Sequence, residues 1–148
     1  PRGVEQSAEP RLVLNNTADD THTFTVWVLE GPVRENAVTV YYRDKEPASL
    51  SPQGGVYHRH FPEEHTYVTQ ITPDANRSRF VTQVAVDPGE TYRQNVTEFA
   101  VGDALMVTAA EDDRIFELVV ANCDEESLVG LEVMSRPEPS TANSFECR

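Results

Sequence analysis

Apolar side chains recur at every second position through nearly the whole chain, and no window of a dozen residues carries them at the three- and four-residue spacing of a helix. Helices can then be no more than single turns. The clearest strand covers residues 21–29, where Phe24, Val26 and Val28 share one face and Thr23, Thr25 and Trp27 the other. Further strands are expected at residues 11–15, 37–42, 56–60, 65–72, 79–86, 91–96, 104–109, 114–122 and 128–134, each bounded by turn chemistry. Asp87-Pro88-Gly89-Glu90 and Glu111-Asp112-Asp113 supply tight reversals, and Ser51-Pro52-Gln53-Gly54-Gly55 a looser one. This spacing predicts an all-β fold, a sandwich or a barrel, and of these an antiparallel sandwich of about 8–10 strands. The expected core is Leu12, Leu14, Phe24, Val26, Val28, Val38, Val40, Phe80, Val84, Val86, Leu105, Val107, Phe116, Leu118 and Val120.

At 148 residues the chain fits one domain with one core. Its charge is unusual: 25 acidic residues against 12 basic ones give a formal net charge of -13, and Lys45 is the only lysine. Such a surface repels nucleic acid and anionic lipid. It also repels itself in dilute buffer, whereas a Debye length of about 3 Å at 1 M salt screens nearly all of that repulsion. The balance suits a salt-adapted organism.

Two cysteines occur, Cys123 and Cys147, with no CxxC or Cys/His-rich context that would suggest zinc or thiol redox chemistry. A bridge between them would close a loop of about two dozen residues, contribute roughly 3 kcal/mol and imply an oxidising compartment. Three N-x-[ST] glycan acceptors point the same way: Asn15-Asn16-Thr17, Asn76-Arg77-Ser78 and Asn95-Val96-Thr97. No run approaches the roughly 20 apolar residues of a membrane helix. Residues 1–10 read as a flexible polar arm, residues 11–135 as the sandwich body, and residues 136–148 as a Pro-containing tail pinned by the bridge. Such an arm implies a tether upstream of Pro1, and Pro1-Arg2-Gly3 reads as a processed end.

The stretch RLVLNNTADDTHTFTV of residues 11–26, with VAVDPGETY of residues 84–92 and GDALMV of residues 102–107, resembles the secreted β-sandwich domains of haloarchaea, themselves similar to immunoglobulin-like and cupredoxin domains. The resemblance covers about half the chain and implies a surface lipoprotein or envelope module. Its cupredoxin side implies blue-copper chemistry, with His, Cys and Met ligands and a histidine closely following the cysteine. Here His22, His58, His60 and His65 all precede Cys123, so that pattern is not met.

A different metal site is offered by Tyr57-His58-Arg59-His60-Phe61-Pro62-Glu63-Glu64-His65, with three imidazoles and two carboxylates in nine residues. On a strand His58 and His60 project to one side, which suits zinc or copper(II). The same residues also describe an ordinary solvated hairpin. His22, in phase with Phe24 and Val26, reads as a hydrogen-bonded histidine at a strand's start. There is no GxSxG, HExxH or Gly-rich phosphate loop, and no small-molecule substrate is indicated.

The expectation is therefore a non-catalytic, extracellular cell-envelope module of a halophile without a cofactor, structural or self-assembling, whose partners are copies of itself or other envelope proteins. One route to assembly is exchange of residues 11–15, with Leu12, Val13 and Leu14 completing a neighbour's sheet. The alternative for that segment is the first strand of its own sandwich. The alternative function is an extracellular copper- or zinc-binding protein using His58, His60 and His65.

Overall fold

The computed structural model describes residues 7–62 and 67–148. Among these lie fourteen strands: β1 Ser7–Ala8, β2 Arg11–Asn16, β3 His22–Leu29, β4 Val38–Tyr42, β5 Ala48–Leu50, β6 Val56–His60, β7 Val68–Pro73, β8 Ser78–Val86, β9 Thr91–Asn95, β10 Phe99–Ala100, β11 Ala104–Glu111, β12 Arg114–Asn122, β13 Leu128–Arg136 and β14 Ser140–Cys147. One 3-10 turn, Ala75–Arg77, leads into β8. The chain is an all-β sandwich.

The small sheet runs β14-β13-β2-β9. The large sheet runs β8-β3-β11-β12, and β12 then carries β6 along Glu117 to Ala121 and meets β7 at Ile115, from which β4 and β5 continue. Pairing is antiparallel except between β2 and β13, which run parallel from Arg11 opposite Gly130 to Asn16 opposite Ser135. The turns use residues that tolerate a left-handed backbone: Gly89 at φ 81 in the β8–β9 turn and Asp112 at φ 56 in the β11–β12 turn.

Alternation along β11 assigns its side chains to two cores. Leu105, Val107 and Ala109 join Leu12, Leu14, Phe24, Val26, Leu131 and Val133 between the two sheets. Ala104 and Met106 point the other way and join Val38, Val40, Phe61, Val68, Ile71, Leu118 and Val120 in a second cluster. The large sheet is therefore covered on both faces along β11 and β12, which explains why β12 is buried without interruption from Phe116 to Asn122. Each fully buried Leu, Val or Phe contributes roughly 1.5–3 kcal/mol.

Several expectations need correction. Phe80 is 57% exposed instead of buried, because the β3–β8 register shifts between Val26 and Trp27, pairing Val26 with Thr82 and Trp27 with Phe80. The extra residue, Val81, turns Phe80 to the outer face, where its ring meets Trp27 edge-on. Val84 is half-buried against the first core. Residues 136–148 are not a tail: Ser140–Cys147 pairs along the length of β13. Pro137-Glu138-Pro139 is the hairpin turn, with Glu138 at φ 58. The body also begins before residue 11, since Ser7 and Ala8 pair with Ala100 and Phe99 and the Pro10 carbonyl accepts from Val96 N. The rest of the expected arm, residues 1–6, lies outside the described residues, as does the start of the expected strand at residues 65–66. The short strands β1, β5 and β10 were not expected.

Candidate functional site

Period-two geometry puts His58 and His60 of β6 on one face, and that face looks toward the small sheet. The register pairs His60 with Glu117 and His58 with Val119 of β12. Glu117 is 1% exposed, whereas the two imidazoles are 37% and 44% exposed. His58 Nε2 donates to Glu117 Oε2, and His60 Nδ1 donates to Glu117 Oε1 at 3.0 Å. A carboxylate can only accept here, so each facing nitrogen carries the proton. From β14, Thr141 Oγ1 lies 3.4 Å from His58 Nε2 and closes the cluster from the opposite sheet. Burying an ionised carboxylate is costly unless it is paired and hydrogen-bonded, and the two imidazoles meet that condition.

Glu117 was not singled out in the sequence, yet a signal was present. It is the lone charge in the apolar run Ile115-Phe116-Glu117-Leu118-Val119-Val120-Ala121. A charge inside such a run requires a partner. His65, with Glu63 and Glu64, lies outside the described residues, so the three-histidine cluster is represented by His58 and His60 alone. Among the described residues no group of three or more His, Cys, Asp or Glu side chains is arranged to hold a metal ion. Both imidazole nitrogens that face Glu117 are committed to it as donors.

A second imidazole–carboxylate pair lies across the same sheet. His22 is fully buried, its ring centroid 4.9 Å from that of Phe116, and its Nε2 donates to Glu111 Oε1 at 2.9 Å. Its Nδ1 is buried with no hydrogen-bond partner. A cleft of about 370 Å³ lined by Pro32, Val33, Gln53, Gly54, Gly102, Asn122, Asp124 and Glu125 brings two carboxylates together with no imidazole, thiol or amine beside them.

Cys123 and Cys147 are joined, with Cα atoms 5.7 Å apart, so the bridge ties the end of β14 to the segment just after β12. Leu12 and Leu14 are fully buried in the first core, and Val13 is half-buried on the outer side. All three belong to a strand paired on both sides, by β13 and β9. Asn15 is half-buried on that strand, while Asn76 and Asn95 are exposed. Compared with known protein families, characterised proteins and solved structures, the chain matches none.

Proposed function

We propose that this chain is a non-catalytic surface module of an oxidising, extracytoplasmic compartment in a salt-adapted cell, acting by display or self-assembly with further copies or other envelope proteins. The observation that carries the reading is the Cys123–Cys147 bridge, which fastens the last hairpin to the body. Structural disulfides persist in oxidising compartments and are rare where thiols are kept reduced. Two further features support it. The net charge of -13 favours folding in concentrated salt, and β8 and β9 end their sheets without a lysine to block pairing.

The test is secretion of the chain from a halophilic host, followed by intact mass with and without reductant before alkylation. The expected result is no alkylation until reductant is added; two freely alkylated thiols in unreduced protein would remove the compartment argument. Far-UV circular dichroism should show β-structure above about 1 M salt and lose it progressively as screening is withdrawn. Full retention at a few millimolar salt would remove the salt-adaptation argument. A metal-binding role would use the ring nitrogens that face away from Glu117, His58 Nδ1 and His60 Nε2, with the carboxylate holding the other N–H of each ring. Stoichiometric Zn(II) or Cu(II) lost in the H58A/H60A variant would replace the surface-module reading.

A further inference from the structure

The fold leaves two of the three N-x-[ST] triplets open and closes the third, and we propose that Asn95 and Asn76 carry N-linked glycans while Asn15 stays bare. The inference rests on the extracytoplasmic reading above and assigns the modified positions within it. The triplet Asn15-Asn16-Thr17 is engaged at every side chain. Asn15 Oδ1 accepts from Thr91 Oγ1 at 3.1 Å, and Thr17 Oγ1 donates to the Ser135 carbonyl at 2.8 Å. Between them, fully buried Asn16 donates to the carbonyls of Asp20 and Val86, both at 2.8 Å. Presenting this triplet to a transferring enzyme would pull β2 from between β13 and β9.

The triplet Asn95-Val96-Thr97 sits where β9, an edge strand, leaves the small sheet. Asn95 and Thr97 are exposed, and among the described residues neither side chain makes a hydrogen bond. Asn76 is exposed in the Ala75–Arg77 turn, where its backbone N–H, not its amide side chain, is taken by Asp74 Oδ1 at 3.0 Å. Ser78 of that triplet donates to the Asp74 carbonyl at 2.7 Å, so Asn76 is the less open of the two. The Arg79 guanidinium bonds the carbonyls of Thr97 and Glu98 at 2.5 and 2.9 Å, holding the start of β8 against the exit of β9. Both glycans therefore stand at one end of the sandwich.

The step is a group transfer from a lipid-linked oligosaccharide. Asparagine Nδ2 loses a proton to a base of the transferring enzyme and bonds the anomeric carbon; the bond from that carbon to the lipid phosphate oxygen breaks, and the lipid phosphate leaves with the electron pair. The experiment is secretion of the full chain from a host that modifies N-x-[ST] acceptors, read by intact mass and peptide mapping. Two glycans per chain are expected, one lost in each of Asn76→Gln and Asn95→Gln and none lost in Asn15→Gln. Ser78→Ala and Thr97→Ala should repeat those losses with the asparagine retained, which guards against a variant that fails to fold. A glycan on the Asn15 peptide, or a bare Asn95 or Asn76, overturns the proposal. A formed Cys123–Cys147 bridge beside bare triplets would sink this inference alone, whereas free thiols in the same sample would sink the compartment reading.

Discussion

His22 with Glu111, and Glu117 with His58 and His60, are two imidazole–carboxylate arrangements on one face of the large sheet, and their burial is reversed. In the first the imidazole is fully buried and the carboxylate is 29% exposed. In the second the carboxylate is 1% exposed and both imidazoles reach solvent. The buried imidazole is held by one hydrogen bond, with Nδ1 left without a partner. A buried carboxylate needs more, because its charged form must recover in hydrogen bonds what it loses in hydration. β6 therefore owes its place in the sheet partly to Glu117, whereas β3 owes little to Glu111.

The largest effect should follow from removing both donors. The H58A/H60A variant leaves Glu117 buried and unpaired, and chemical denaturation in high salt should show a loss of about 3–5 kcal/mol. Adding Glu117→Leu to that variant should restore most of it, since an apolar replacement of a buried ionic group is often neutral or stabilising. A loss under about 1 kcal/mol in H58A/H60A would erase the contrast. Next in size, His60→Ala alone keeps His58 as one donor and should cost about 1–3 kcal/mol. His22→Phe should cost less than about 1 kcal/mol, because Phe packs on Phe116 and leaves Glu111 near solvent.

The smallest effect extends the comparison to a carboxylate at the surface. The Tyr67 phenol donates to Asp113 Oδ1 at 2.5 Å, and that hydrogen bond, followed by desolvation and the Asp113 charge, holds the phenol above its ordinary value near 10. Any stability this gives is present below the unfolded phenol's pKa and is lost as pH rises through the folded one. Ultraviolet titration of Asp113→Asn should bring Tyr67 ionisation down toward 10; an unchanged midpoint would show that the hydrogen bond is not the cause.

Most of the strands were legible because their side chains alternate between a core and a wetter face, and residues 56–60 and 114–122 were located to the residue. Shared projection of His58 and His60 was legible for the same reason. Alternation does not mark their partner, because β12 is covered on both faces, and Glu117 stands out only as the lone charge in an apolar run. Phe80 was misplaced by a single bulge, which inverts every side chain beyond it and leaves no local mark in the sequence. In the sequence Pro137-Glu138-Pro139 marks the start of a tail, since prolines break strands. They equally well mark the turn between two, and only the pairing of β14 with β13 distinguishes these.

The parallel pairing of β2 with β13 also sets a timetable. Arg11–Asn16 lies between β9 and β13, so its second neighbour is complete only about 120 residues later in the chain. At synthesis rates of about 5–20 residues per second that delay is roughly 6–24 s. Throughout it Leu12 and Leu14, fully buried in the finished fold, lack their β13 neighbours Leu131 and Val133. Until β13 is made, β2 can pair on one side only, so the small sheet closes only when nearly the whole chain is present.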